Sequence, residues 1–445
     1  MPAAPGEPAA PGVHAVPGEN SAPAEPSEPI PAAPRAYQPA AHRPRLRRHT
    51  IAAGIVAAYL LAAVVAVIAH SSWGLPLWLA LHLLVLGAAT NAVFVWSWHF
   101  AEALLHARPA SQRPGYLRLA VLNAGIAAVL AGVSASSGGL AVAGAALVIT
   151  AVTWLIAGLA RLAHGSVLAG RLREVVWYYL AAGVALALGA ALGGLLATNV
   201  VSSARLDTAL RLAHAHLNLL GWLGLAILGT EFMLWPAVLR TRMADDAPQW
   251  ARRVLVVTVA GLTAAAGGLL ATAYVSAARW VAAAGMLTYA AGVAGSLVPA
   301  VREMRVRPPR SAAAWALLAG NAWLLAGICA DVAALSAGPG LADRLLAGSL
   351  VPILALGVVA QILTGALTFL LPVVAGGGPA GNRRLTAVLE RGWPARAAAT
   401  NAGVLLLALP AGGAPRLAGW LLALAGLGPF PFLVVAALAR RPRCG

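Results

Sequence analysis

The sequence predicts an all-α, polytopic membrane protein whose twelve transmembrane helices form a pseudo-threefold bundle. Three observations point there: the composition, the spacing of apolar runs and the distribution of arginine. Of 445 residues, 60% are hydrophobic and 10% charged, with a mean hydropathy of +0.80. A soluble globular chain carries roughly 25% charged residues. That balance excludes a soluble enzyme and a disordered scaffold. Two cysteines, Cys329 and Cys444, supply neither a disulfide framework nor a cysteine zinc site.

Residues 1–49 read as a separate, disordered cytoplasmic tail. Twelve of the 30 prolines fall there, followed by Arg43, Arg45, Arg47, Arg48 and His49. Such a segment buries too little apolar surface to offset the entropy of ordering, and it lacks the basic-then-apolar order of a signal peptide. Residues 50–440 form the membrane domain, and 441–445 a short cytoplasmic tail.

From Thr50 the apolar runs lie at about 50–70, 75–99, 116–136, 139–161, 175–197, 209–235, 254–275, 279–300, 312–336, 345–374, 397–412 and 416–439. Most are long enough to cross ~30 Å of hydrocarbon with ~20 helical residues. Lipid excludes open sheet edges, so they are helices. With the N-terminus inside, 26 of the 31 arginines fall on the cytoplasmic side. Only Arg205, Arg211, Arg279, Arg344 and Arg416 fall outside. The alternation fits twelve crossings with both termini cytoplasmic. It also explains the net charge of +17 without a nucleic-acid partner.

An internal frame recurs. The second segment reads His82-Leu83-Leu84-Val85-Leu86-Gly87, the sixth His216-Leu217-Asn218-Leu219-Leu220-Gly221, and the tenth Pro352-Ile353-Leu354-Ala355-Leu356-Gly357. Pro236 and Pro372 each follow their glycine by 15 residues, and Asn123-Ala124-Gly125 is echoed by Asn401-Ala402-Gly403. This predicts three four-helix arcs in which the second, sixth and tenth helices are equivalent.

Ten histidines all lie at or before His216. Seven read as solvated or interfacial: His14, His42 and His49 in the tail, His106 and His164 in inner loops, His70 and His99 at membrane boundaries. His82, His214 and His216 lie near 10 Å deep from the outer side, at ~1.5 Å per residue. Intramembrane ionisable residues face the bundle interior with partners. Two readings stand: histidines bonded to neighbouring helices, or ligands. Imidazole suits iron, copper and zinc, and haem iron takes axial histidine. His214 and His216 point about 200° apart, and the repeat selects His216 as the axial partner of His82. His214 then faces a copper or a haem edge. Asp331 orients an imidazole or pairs with Arg344 or Arg211. Arg205 and Arg211 neutralise haem propionates or snorkel at the outer interface. Glu231 and Trp235, at the inner end of the sixth helix, read as a snorkelling acid and its neighbour.

The stretches Ala213-His214-Ala215-His216 through Leu234-Trp235-Pro236, Leu81-His82 through Thr90-Asn91 with Trp96-Ser97-Trp98-His99, and Val359 through Leu367 with Leu371-Pro372 carry a resemblance. Across residues 50–440 the chain resembles the membrane domain of bacterial copper-oxidase-like, multicopper-oxidase-associated proteins, whose twelve helices resemble subunit I of haem–copper oxidases. A twelve-helix haem- and copper-containing family linked to nitric oxide stress is a more distant match. The resemblance implies a bacterial cell membrane, a haem with or without copper, and a cupredoxin or multicopper oxidase as electron partner. Haem–copper oxidases take haem ligands from helices two and ten and copper ligands from helices six and seven. Here the tenth segment has Pro352 in the repeat position and no histidine, and the seventh is apolar or small. Oxygen reduction at a binuclear centre is therefore not expected, nor is a cupredoxin domain before the end at Gly445. Only His82 and the pair His214 and His216 carry over, as metal positions; Arg211 and Asp331 join His82 and His216 as cofactor-binding candidates from the residue reading. Two functions follow from these residues. One is a membrane redox protein exchanging electrons at the outer side; the other is a non-redox transporter or sensor for copper or a small molecule on a degenerate bundle.

Overall fold

Uninterrupted apolar sequence rich in alanine and leucine satisfies its backbone polar groups only as helix in lipid. The computed structural model follows that rule, with no strand among the described residues: 42–73, 76–106, 113–164, 173–376, 378–410 and 412–439. The tail assigned to 1–49 lies outside them up to residue 41, and 440–445 lies outside them as well. Eleven helices are long and apolar enough to cross a membrane. They are α1 (His49–His70), α2 (Leu77–Leu104), α3 (Arg113–Ser134), α4 (Gly138–His164), α5 (Glu174–Ala197), α6 (Ala204–Leu239), α7 (Ala247–Ala271), α8 (Ala278–Val306), α9 (Ala312–Ala337), α10 (Ile353–Ala375) and, as α12, Gly413–Ala439. Between the last two runs α11, Trp393–Ala408, with 16 residues. At 1.5 Å per residue it is ~24 Å long, shorter than the others. The protein is thus a polytopic, all-helical protein in contact with the bilayer.

The first helix begins earlier than predicted, at His42. Pro44 falls in its first turn, where the missing N–H costs nothing. His49 consequently belongs to α1 and is 3% exposed, which corrects its placement in a solvated tail. It packs against Trp96 and shares a 3.2 Å hydrogen bond with His99, so the predicted interfacial His99 has a protein partner.

The sequence frame recurs as geometry. Immediately after His82, His216 and Pro352 the helices relax into π-turns, at Leu83–Ala89, Leu217–Gly224 and Ile353–Ala360. A π-turn loosens the regular ladder, and side chains here engage the carbonyls along it. Thr90 Oγ1 donates to Val85 O at 2.9 Å, Tyr289 Oη to Leu220 O at 2.8 Å, and Gln361 Nε2 to Gly357 O at 3.0 Å. Asn91 and Asn123 exchange amide hydrogen bonds, and Gln361 and Asn401 do the same. Glycines meet backbone to backbone in three helix pairs: Gly125 with Gly144, Gly261 with Gly285, and Gly403 with Gly419. Small residues permit such close approach between membrane helices, where apolar burial gives little drive.

The half of the bundle containing the N-terminal ends of α2, α6 and α10 is called the upper half. In the lower half Arg302 pairs with Asp246, just before α7, and holds that carboxyl below its usual range. Trp250 Nε1 adds a 3.1 Å bond to the same carboxylate.

Candidate functional site

The upper half contains a cavity of about 900 Å³, bordered by α1 to α6, the approach to α10, and α12. That volume lies within the ~300–1,000 Å³ of small-molecule and cofactor sites. Its wall is mostly leucine, alanine and valine. Among the polar side chains that line it are Trp78, His82, His214 and Asn218, with Thr90, Ser136, Asn199 and Thr364 elsewhere on the wall. Asp207, Arg211, Asp343 and Arg416 stand among its charged lining.

His82 is oriented from its own helix. Its Nδ1–H donates to Trp78 O at 2.9 Å, and its ring lies over the Trp78 indole with centroids 4.3 Å apart. His214 is oriented from a neighbouring helix: its Nδ1–H donates to Gly189 O at 2.8 Å. Gly193 provides the room, since a Cβ there would stand 2.7 Å from the His214 ring. One turn away along α5, Gly189 receives Asn218, whose Nδ2 donates to His214 O at 2.7 Å. In both histidines the Nδ1 proton is committed to a backbone carbonyl. Nε2 is left as the acceptor, with no hydrogen bond among the described residues. The rings face each other with centroids 6.4 Å apart and planes inclined by 19°.

His216 points elsewhere. Its Nδ1–H donates to Leu212 O at 2.7 Å, and its Nε2 shares a 2.7 Å bond with Asp331 Oδ2 on α9. Both ring nitrogens are occupied, at 4% and 5% exposure for the two residues. The predicted pairing of His82 with His216 is therefore corrected: His214 faces His82. Equivalent sequence positions need not share partners: a π-turn follows both residues alike, but only His216 is drawn to a carboxylate, Asp331. Asp331 takes an imidazole and not Arg344 or Arg211.

Arg211 is held by two carboxylates. It pairs with Asp207 on its own helix and forks onto Asp343, with Nη2 to Oδ2 at 3.0 Å and Nε to Oδ1 at 3.3 Å. Arg205 is not among the cavity residues, whereas Arg416 is, donating to Gly348 O at 3.2 Å. Glu231 does not snorkel. It is 2% exposed and accepts from Asn321 Nδ2 at 2.8 Å.

Trp78, Gly189, Gly193 and Asn218 escaped the sequence reading. The spacing Trp78-x-x-x-His82 and Gly189-x-x-x-Gly193 was the available signal, the first placing a carbonyl beneath the imidazole, the second a notch on one face of α5. Among the described residues no three His, Cys, Asp or Glu side chains gather as a metal group; the facing pair supplies two nitrogens. Two imidazoles with unbonded Nε2 atoms, on a largely apolar cavity of this volume, are a donor set that would suit haem iron. The pair and the cavity fit a haem. No protein-family model and no curated protein matches the chain, so the case for this site rests on its geometry.

Proposed function

We propose that the chain is a redox protein of the bacterial cell membrane that holds one haem between His82 and His214 and passes electrons to or from a separate partner at the outer face. The observation that carries this is the facing pair, with both Nδ1 protons tied to carbonyls and both residues lining the cavity. A second hydrogen bond of that kind fixes the tautomer and raises ligand basicity. Bound there, haem supplies one-electron transfer. Arg211 and Arg416 stand where anionic propionates need cations, though Arg211 is shared with two carboxylates. A cupredoxin or multicopper oxidase suits the partner's role.

The bundle belongs, on this reading, to the haem–copper oxidase subunit I type, with twelve crossings in three arcs: α1–α4, α5–α8 and α9–α12. The recurring π-turns, amide pairs and glycine contacts support the arcs. The crossing by α11 is supported by the arginines, since Arg396 at one end belongs to the inner set and Arg416, just past the other, to the outer set. Reporter fusions after Ser203 or Gly338 should report outside, and those after Asp246 or Gly378 inside. A single reversed site breaks the count and the orientation together.

The decisive measurement is a spectrum. Protein purified in detergent after haem-supplemented expression should show a Soret band, with sharp low-spin bands appearing on dithionite reduction. A colourless protein overturns the haem assignment. Copper bound without a Soret band would move the function to a transporter or sensor, since neutral imidazole suits copper as well.

A further inference from the structure

His216 ligates nothing in this arrangement, yet it is bonded at both ring nitrogens in a nearly waterless place. Apolar side chains, Met286, Ile328, Leu350 and Leu354, surround its contact with Asp331. An ion pair or hydrogen-bonded pair in such surroundings gives little net stability, because desolvation cancels most of the attraction. What it does give is a fixed distance between α6 and α9.

That distance matters because of where the π-turn lies. The stretch Leu217–Gly224 begins at the residue after His216. The regular ladder that would transmit the rotation of lower α6 upward is interrupted there. The upper piece, Ala204–His216, is only 13 residues long. Lateral bonds must therefore set its rotation about its own axis. Arg211 forks to Asp343 at the exposed end, with the arginine side chain 44% exposed, and such a pair is loose. Two lateral bonds are firmer: His214 to Gly189 O, which holds the ring itself, and the buried His216–Asp331 bond, which holds the helix piece that carries it. His214 projects ~200° away from His216, so a pin at one residue aims the other. With the ring centre ~6 Å from the helix axis, a 20° turn moves it by ~2 Å, about the length of one iron–nitrogen bond.

We propose that Asp331 is a positioning residue for the haem site: through His216 it fixes the rotation of upper α6 and so aims His214 at His82. This rests on the bis-histidine haem reading. It makes a specific statement about side-chain shape, namely that a hydrogen-bonding group is required at 331, not a charge.

The test uses full-length, haem-loaded protein in detergent and reads retained haem, the low-spin ferric resonance and the midpoint potential. Wild type should give the rhombic resonance of two imidazoles with nearly parallel planes. Asp331→Leu should shift it toward the broad, high-g form of crossed planes, alter the potential and lower retained haem at least threefold. Asp331→Asn should restore the wild-type resonance, because the carboxamide donates Nδ2–H to Nε2 while Nδ1–H stays on Leu212 O. The double change Asp331→Leu with His216→Leu guards against misfolding. An apolar pair replaces a buried polar pair at little cost in stability, and it should reproduce the altered resonance. A wild-type resonance in both leucine variants, or an Asp331→Asn protein that behaves like Asp331→Leu, overturns the positioning role alone. Wild type without bound haem overturns it together with the haem reading.

Discussion

Replacing His82 or His214 by alanine is expected to abolish the low-spin haem spectrum, while His216→Ala leaves the protein coloured. Each of the first two changes removes one of two iron ligands from a cavity whose other acidic side chains, Asp207 and Asp343, are held by Arg211. The five-coordinate remainder should retain haem at least tenfold less well, a difference of about 1.4 kcal/mol or more. His82→Ala also leaves Trp78 without the ring it stacks on, so its effect should equal or exceed that of His214→Ala. His216 donates to a carbonyl and bonds a carboxylate, so its loss alters ring geometry and not ligand number. Membrane insertion should be unaffected in all three, since none of them shortens an apolar run. The comparison that decides is between neighbours on one helix. Bleaching by His216→Ala with colour kept in His214→Ala would restore the axial pair predicted from the repeat.

The next largest expectation concerns two adjacent glycines that should answer one substitution with opposite signs. Gly267 and Gly268 both lie in α7. A Cβ at Gly267 meets nothing within 4 Å, whereas at Gly268 it would stand 2.5 Å from the backbone nitrogen of Ala282 on α8. Gly267→Ala should therefore stabilise by up to about 1 kcal/mol, the helix-propensity difference. Gly268→Ala must push two backbones apart, because no side chain is available to swing away. A cost of about 2 kcal/mol or more is expected, typical of overpacking. The measurement is the detergent thermal-aggregation midpoint of the two variants against wild type. Equal midpoints would show that the α7–α8 contact yields easily.

The bundle was legible because lipid imposes a simple rule on sequence: runs of about 20 apolar residues, flanked by arginine on one side. Boundaries were less so. Hydropathy marks the part of a helix that sits in hydrocarbon, and α7 and α8 extend past it, to Ala247 and Val306, where Trp250 and Arg302 find partners near Asp246. The glycines at 87, 221 and 357 each lie within a π-turn. The facing of His214 was not legible, because it is fixed by Gly189 and Gly193 on a neighbouring helix, the bonded carbonyl lying 25 residues away in sequence. The fates of Asp331 and Glu231 were also hidden. Their partners are 115 and 90 residues away in sequence, and no local pattern reports a contact at that range.

Those two separations bear on how the protein is made. In α2 and α10, buried amides find partners nearby: Asn91 with Asn123, 32 residues on, and Gln361 with Asn401, 40 residues on. In α6 and α7, Leu225 and Val259 lie at the corresponding positions of the sequence frame. The polar groups of α6 turn instead to α9, and α9 is synthesised later. At roughly 5–20 residues per second, His216 and Glu231 wait on the order of 5–20 s in or beside the bilayer before Asp331 and Asn321 arrive. During that interval α6 is a helix with unmet polar side chains, the kind of segment that insertion machinery holds back or quality control removes. The helix that carries His214 thus gains its partners for His216 and Glu231 only once α9 has been made.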